Sequence, residues 1–319
     1  SNPDGLADWT LEQDINGLRT GDLFGSSVAI SNNGNAIAVG APASDNNGEA
    51  SGSVIMYSWN QYYGWRRYGD PINGVAATDA LGGYSQIAIS DSGYTIAIGA
   101  RRHDTSSNTG QDAGHVRIYD WTGGRWTQRG DDIHGENPRD QSGSSVSLSA
   151  DGNTVAIGAI YNEGPYDQEN RNLNLGHVRI FSWTGVWSQV GTDIDGSWNG
   201  EINLETGFSV SLSSDGQTVA IAGNSINDGT FSPVKVFHYG SSIPANWTKF
   251  AEPISGTSRG DLSVADIHLS KNPSGRWLMV LGEPSAMSQV GRVRVFEWLD
   301  TIYDVEYNRW SQLGNSINS

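Results

Sequence analysis

The sequence predicts an all-β fold: a β-propeller of four-stranded antiparallel blades, five in number. Three observations carry that reading. First, the stretch Gly143-Ser-Ser-Val-Ser-Leu-Ser-Ala-Asp-Gly-Asn-Thr-Val-Ala-Ile-Gly158 recurs as 25–40 and, more worn, as 84–99, 207–222 and 264–282. Second, equivalent tryptophans follow one another at 56 to 63 residues, the mark of a repeat array. Third, glycine is high at 41 and charged residues low at 17%, while Gly, Ser, Asn, Asp, Thr, Val, Ile and Trp dominate. That is the vocabulary of short strands joined by tight turns.

The third unit, 136–196, gives the elements in order. Ser144 to Ser149 alternates small or polar residues with Val146 and Leu148, the period of a half-buried strand, a. Ala150 to Asn153 is a hairpin turn in which Asp-Gly supplies positive φ. Thr154 to Gly158 is continuously apolar and predicts a strand, b, buried on both faces. A long polar loop, 159–176, follows. His177 to Trp183 alternates again as strand c, Thr184-Gly185 turns the chain, and Trp187 to Ile194 is strand d. Four antiparallel strands in about 60 residues make one propeller blade.

The units run 18–74, 75–135, 136–196, 197–256 and 257–319. Ten of the twelve tryptophans sit in register. Trp59, Trp121, Trp183 and Trp298 end strand c, and Trp65, Trp126, Trp187, Trp247 and Trp310 open strand d. The tenth is Trp9, opening the segment 9–17, a copy of strand d ahead of the first full unit. Such a strand closes a ring by joining the opposite blade, yet the fifth unit carries its own strand d, Trp310 to Ile317. Five blades is the reading taken, with a six- or seven-bladed ring completed by other sequence as the alternative.

At Phe24-Gly-Ser-Ser-Val28 followed by Ala38-Val-Gly-Ala-Pro42 the chain resembles the FG-GAP repeat of integrin alpha-subunit propellers. The Gly-His-Val-Arg-Ile-aromatic-x-Trp and Trp-x-Gln-x-Gly-x-x-Ile runs more closely resemble FG-GAP-like repeats in secreted or surface proteins of marine microbes and algae. The resemblance implies the scaffold far more than an activity. It also implies calcium in the a–b hairpins, held by Asp-x-Asp-x-Asp-Gly. Here those hairpins read Asn32-Asn-Gly34, Asp91-Ser-Gly93, Ala150-Asp-Gly152, Ser214-Asp-Gly216 and Pro273-Ser-Gly275, with one acid at most. Calcium takes six to eight oxygens, several from carboxylates. These read as turns, so no metal ligands and no cofactor are expected.

Formal net charge is −16. Phosphate backbones repel such a surface, which argues against nucleic acid and anionic membranes as partners. With no cysteine there are neither disulfides nor thiolate metal sites. No run of 18 apolar residues occurs, so no helical membrane insertion is expected. The opening residues Ser1 to Gly5 show no leader and read as a processed terminus. The sequon Asn246-Trp-Thr248 is a chance match in a chain this rich in Asn, Ser and Thr.

An acid stands just before strand a in every unit: Asp22, Asp79, Asp140, Glu205 and Asp261. One reading is a ring of carboxylates that holds a ligand near the channel. The other is a backbone-bonded turn at each blade junction. The b–c loops belong to the same face, and two stand out: Arg101 to Asp112, with Arg102 and His103, and Ile160 to Arg171, with Tyr161 and Tyr166. Variation concentrated in loops on a constant scaffold is where binding resides. Trp198, outside the repeated positions, is a stacking candidate against a packing role between blades. Trp277 lies within strand b and reads as core, and His115 and His177 are repeat features of strand c. No catalytic motif appears.

The candidate ligand-binding residues are therefore Asp22, Arg101, Arg102, His103, Asp140, Tyr161, Tyr166, Trp198 and Asp261. The function they fit is a non-enzymatic, extracellular or cell-surface binding module for a glycan or protein. The runner-up is a structural segment that self-assembles through its terminal strands. A polysaccharide-active enzyme, with acids such as Asp140 and Asp261 about 5–10 Å apart, comes third.

Overall fold

Period-two runs bounded by glycine turns fold into five antiparallel sheets in the computed structural model of the protein. The structure describes residues 11, 13–83, 86–104, 111–163, 174–196, 205–224, 233–240, 245–254, 266–284, 291–299 and 309–318. The first blade is β1 (Val28–Ile30), β2 (Ala36–Ala41), β3 (Ser53–Asn60), β4 (Gly64–Arg67) and β5 (Ile72–Asn73). The second is β6 (Ile87–Ile89), β7 (Thr95–Ala100), β8 (His115–Trp121), β9 (Trp126–Gln128) and β10 (Ile133–His134). The third is β11 (Ser142–Leu148), β12 (Thr154–Ala159), β13 (His177–Trp183), β14 (Trp187–Gln189) and β15 (Ile194–Asp195). The fourth is β16 (Ser209–Leu212), β17 (Thr218–Ala222), β18 (Lys235–Gly240) and β19 (Asn246–Lys249). The fifth is β20 (Asp266–Lys271), β21 (Trp277–Glu283), β22 (Arg292–Leu299), β23 (Arg309–Gln312) and β24 (Ile317–Asn318). Within each sheet the strands pair in the expected order a, b, c, d.

Strand d differs from the continuous run read in the sequence. In four blades it is broken in two, and both halves pair with strand c. The break falls at Gly69, Gly130, Gly191 and Gly314, all with φ between 65° and 76°, a conformation that costs glycine nothing. At Gly69 and Gly130 any side chain would also strike the tryptophan that ends strand c of the next blade, Trp121 or Trp183, and at Gly191 the one that opens its strand d, Trp247.

Strand b builds the seams. Its large residues face the preceding blade and its small ones the following blade. Ile96 and Ile98 pack with Val54, Met56 and Ile72 of the first blade, while Ala97 packs with Val146, Val155 and Ile157 of the third. The same alternation joins the third blade to the fourth through Ala156, Val219 and Ile221, and the fourth to the fifth through Ala220, Met279 and Leu281. Indole N–H groups add to two seams: Trp187 Nε1 donates to Arg129 O at 2.8 Å and Trp247 Nε1 to Val190 O at 2.7 Å.

Among the described residues no apolar cluster joins the fifth blade to the first. Val28 and Ile30 are 66% and 60% exposed, although their counterparts Ile87, Val146 and Val210 are buried. Val280 is 37% exposed where Ala38, Ala97, Ala156 and Ala220 are sealed. The first blade's leading face instead gathers Val39, Ile55 and Tyr57 with Ile15, Phe24 and Trp65. No strand forms over residues 13–17, but Gln13 Oε1 accepts the Trp65 amide at 2.8 Å. The first strands of all five blades line a central channel of about 890 Å³.

Candidate functional site

Strand c begins where strand d ends, as His177 opposite Asp195 shows, so the b–c and d–a loops share one face of the molecule. The acids before strand a lie at its base. Asp79 accepts the amides of Val75 and Ala76 at 2.9 and 2.8 Å and pairs with His103 Nδ1 at 2.9 Å. Asp140 accepts the Asn137 amide at 2.9 Å and Asn162 Nδ2 at 3.2 Å, and Glu205 accepts Asn224 Nδ2 at 3.2 Å. All three acids are buried. The residues on either side of Asp79 and Asp140 (Thr78, Ala80, Arg139 and Gln141) have φ between 51° and 70°, a left-handed backbone that costs a non-glycine residue about 1 kcal/mol or more. The carboxylate bonds and the ladder from the preceding loop, including Arg139 N to Gln111 O and Gln141 N to Asp112 O, offset that strain. Each acid thus clips a d–a loop to a side chain from the next b–c loop.

The clips differ electrostatically. Burial pushes the Asp79 carboxyl up, but the His103 bond and two amides outweigh it and leave its pKa below the ordinary value. Burial prevails at Asp140 and at Glu205, whose pKa values are raised against the Asn137 and Asn162 bonds in one case and Asn224 in the other.

Of the other sequence-predicted residues, Asp22 is half-buried and its carbonyl accepts the Ala43 amide at 3.2 Å. Arg101 is half-buried and Arg102 exposed. Burial and then the Arg102 charge lower the Arg101 pKa, while Tyr161 and Asp112 act in the other direction. The second blade's b–c loop therefore lies beside Tyr161 of the third. Tyr166, Trp198 and Asp261 fall outside the described residues.

Two groups of histidine and carboxylate, which sequence reasoning did not assemble, sit on the same face. In the second blade His115 is buried, its ring 4.2 Å from that of His103 and 6.0 Å from that of His134. Its Nδ1 has no hydrogen-bond partner. Burial, then the charges of His103 and Arg117, hold its pKa at about 3. Nearby Asp132 is engaged at both oxygens: Oδ1 accepts Arg117 Nε at 2.8 Å and Gln128 Nε2 at 2.7 Å, and Oδ2 accepts Arg117 Nη2. Burial would raise the Asp132 pKa, but the Arg117 bond and charge bring it down to about 2.

His177 holds the same repeat position in the third blade. Its Nδ1 stands 3.9 Å from Asp193 Oδ2 and 4.0 Å from Glu136 Oε2. The outer oxygens are held elsewhere: Asp193 Oδ1 accepts Gln189 Nε2 at 2.6 Å, and Glu136 Oε1 lies 3.5 Å from Arg179 Nη1. Arg179 Nη2 donates to His134 O at 2.6 Å, which fixes the guanidinium. Burial and then Arg179 hold His177 at about 4. Burial raises the Glu136 pKa, and Asp193, Asp140 and Asp195 add to the rise against the Arg179 charge. The fifth blade has Arg292 at this position and buries Glu283 between Arg292 Nε at 2.8 Å and Arg294 Nε at 2.6 Å.

On the opposite face the hairpin acids serve their own turns. Asp151 Oδ1 accepts Ser149 Oγ and the Asn153 amide, and Asp215 Oδ1 accepts Ser213 Oγ and the Gln217 amide.

The FG-GAP repeat family model matches residues 16–57, within the first blade and the segment before it. No curated protein matches the chain. Similar solved structures include a protein described as a candidate 6-phosphogluconolactonase from Bacteroides uniformis, 9% identical, with 92% of this chain and 85% of that chain covered and a TM-score of 0.49. The periplasmic gluconolactonase PpgL of Pseudomonas aeruginosa is 11% identical over 92% and 85%, with a TM-score of 0.48. A candidate TolB from Agrobacterium tumefaciens is 13% identical over 93% and 82%, with a TM-score of 0.45. Likenesses at this level say nothing about activity.

Proposed function

We propose that this protein is a non-enzymatic binding or adhesion module, secreted or on a cell surface, that takes a glycan or protein on the face formed by its b–c and d–a loops. The observation that carries the reading is the recurrent clip. Asp79, Asp140 and Glu205 each bond a side chain of the following b–c loop, while the clipped residue varies: His103, Asn162, Asn224. A rigid base beneath variable loops is the arrangement that places recognition in loops. Arg101, within electrostatic reach of Tyr161, and its neighbour Arg102 offer guanidinium donors beside an aromatic ring, groups of the kind that grip sugars. Asp140 is 2% exposed and bonded to Asn137 and Asn162, which leaves it poorly placed to act on a substrate.

A glycan-array screen, run with calcium and again with chelator, tests this. A specific hit weakened about tenfold or more by Tyr161→Ala or Arg102→Ala is the expected result. A hit indifferent to both, or none at all, overturns the glycan reading. A second reading, assembly through the terminal regions, draws on the exposure of Val28, Ile30 and Ile317 at 66%, 60% and 64%. It expects a mass that rises with concentration in light scattering, and a monomer on Val28→Lys.

A further inference from the structure

We propose that His177, Glu136 and Asp193 form a divalent-metal site on the loop face of the third blade, independent of whatever the loops bind. Three features of the trio converge on a cation. The first is the spacing of the ligand atoms. His177 is buried, and its Nδ1 faces two carboxylate oxygens at 3.9 and 4.0 Å, too far for a hydrogen bond. The trio's ligand atoms lie within 4.8 Å of one another. Ligands about 2.1 Å from a tetrahedral ion stand roughly 3.4 Å apart, so closing the set takes shifts of about 0.5 to 1.5 Å in two partly exposed side chains.

The second feature is the way the carboxylates are held. Each uses one oxygen for an outer partner, Gln189 for Asp193 and Arg179 for Glu136, and turns the other toward Nδ1. Outer partners that aim the ligands are a hallmark of metal centres. The third is charge. Two carboxylates converge here within 4.8 Å of each other, with the Arg179 Nη1 cation 3.5 Å from Glu136. A divalent ion relieves that excess.

The donor set selects the ion. One imidazole nitrogen with two carboxylate oxygens suits zinc or manganese, whereas calcium calls for six to eight oxygens. Glu136 and Asp193 are 40% and 31% exposed, so remaining coordination positions open to solvent or to a ligand group. The second blade offers a useful contrast. His115, Asp132 and His134 also lie close, but both Asp132 oxygens are already engaged by Arg117.

The test is isothermal titration of the metal-stripped full chain with zinc chloride, on wild type and on Glu136→Gln, Asp193→Asn and Asp132→Asn. The first two substitutions are isosteric and partly exposed, and far-UV circular dichroism checks that the blades persist. The expected result is one zinc equivalent bound by wild type and by Asp132→Asn, with affinity at least about tenfold weaker in Glu136→Gln and in Asp193→Asn. No zinc uptake by wild type up to millimolar concentration overturns the site. So does uptake that neither Glu136→Gln nor Asp193→Asn weakens, or that Asp132→Asn weakens as much.

Discussion

Gly158 and Gly282 occupy the same position in strand b of the third and fifth blades, and the same substitution should have opposite effects. A Cβ on Gly158 would lie 2.9 Å from the carbonyl carbon of Gly207, closer still to its oxygen, and 2.5 Å from Ser145 Oγ. The obstacle is the backbone of the next blade, so no rotamer change relieves it. Overpacking by a methyl costs about 1–3 kcal/mol where side chains can give way, and a backbone obstacle places Gly158→Ala at the upper end, about 3 kcal/mol. A Cβ on Gly282 would meet only Asp266 O, at 3.9 Å. There alanine escapes the conformational entropy of glycine and stabilises by about 0.5 kcal/mol. Thermal unfolding followed by circular dichroism should lower the midpoint by about 4–5 °C for Gly158→Ala, and leave it level or slightly raised for Gly282→Ala. Equal losses in the two variants would refute the reasoning, because the trailing face of the fifth blade would then be packed like the others.

Three further outcomes follow from the site geometry. Glu283→Gln removes the charge between two buried guanidinium groups and should cost about 3–5 kcal/mol by urea denaturation. His115 is neutral when folded, with a pKa depressed to about 3 from an ordinary 6.5. Its contribution is therefore complete above about pH 6.5 and drains by up to roughly 1.4 kcal/mol per unit as pH falls toward 3. In metal-free buffer, His115→Ser should flatten the fall in melting temperature between pH 7 and 5. Asp140→Ala removes the acceptor of the buried Asn137 amide and one bond to the Asn162 side chain, and should cost about 1–3 kcal/mol in urea denaturation. Asp140→Asn, which keeps an acceptor, should cost under half of that.

The strands were legible because their signals are local. Alternation around Val146 and Leu148, the apolar run Thr154 to Gly158 and the Asp-Gly turn each fix an element within a few residues. The break in strand d was also written locally, in the glycine at 69, 130, 191 and 314, but needed φ to be read as a kink and not a strand residue. The clips were half legible. The recurrence of Asp79, Asp140 and Glu205 marked a junction, yet their partners His103, Asn162 and Asn224 are 19 to 24 residues away along variable loops. The His177 trio left only one trace in the sequence. Glu136 comes from the connection that enters the blade and Asp193 from strand d, and only the closure of a seam brings them within 4 Å of one imidazole. A signal was present in the repeat itself: where the second unit has Val75, the third has Glu136.

The seams also determine how the molecule would bear a pull. Parallel bridges join Gly52 to Leu81, Gly114 to Ser142 and Gly176 to Thr206, so each of the first three blades is fastened to its successor in the chain. Tension between the two ends would then run through the blades as links in series. The fifth, with an apolar seam on one side only and, among the described residues, no such bridge to the fourth, would part first. Each surrendered blade would lengthen the tether by roughly 200 Å, the reach of about 60 extended residues. A surface tether built this way would release slack in steps and keep its remaining blades, with their loops displayed, until the load passed on.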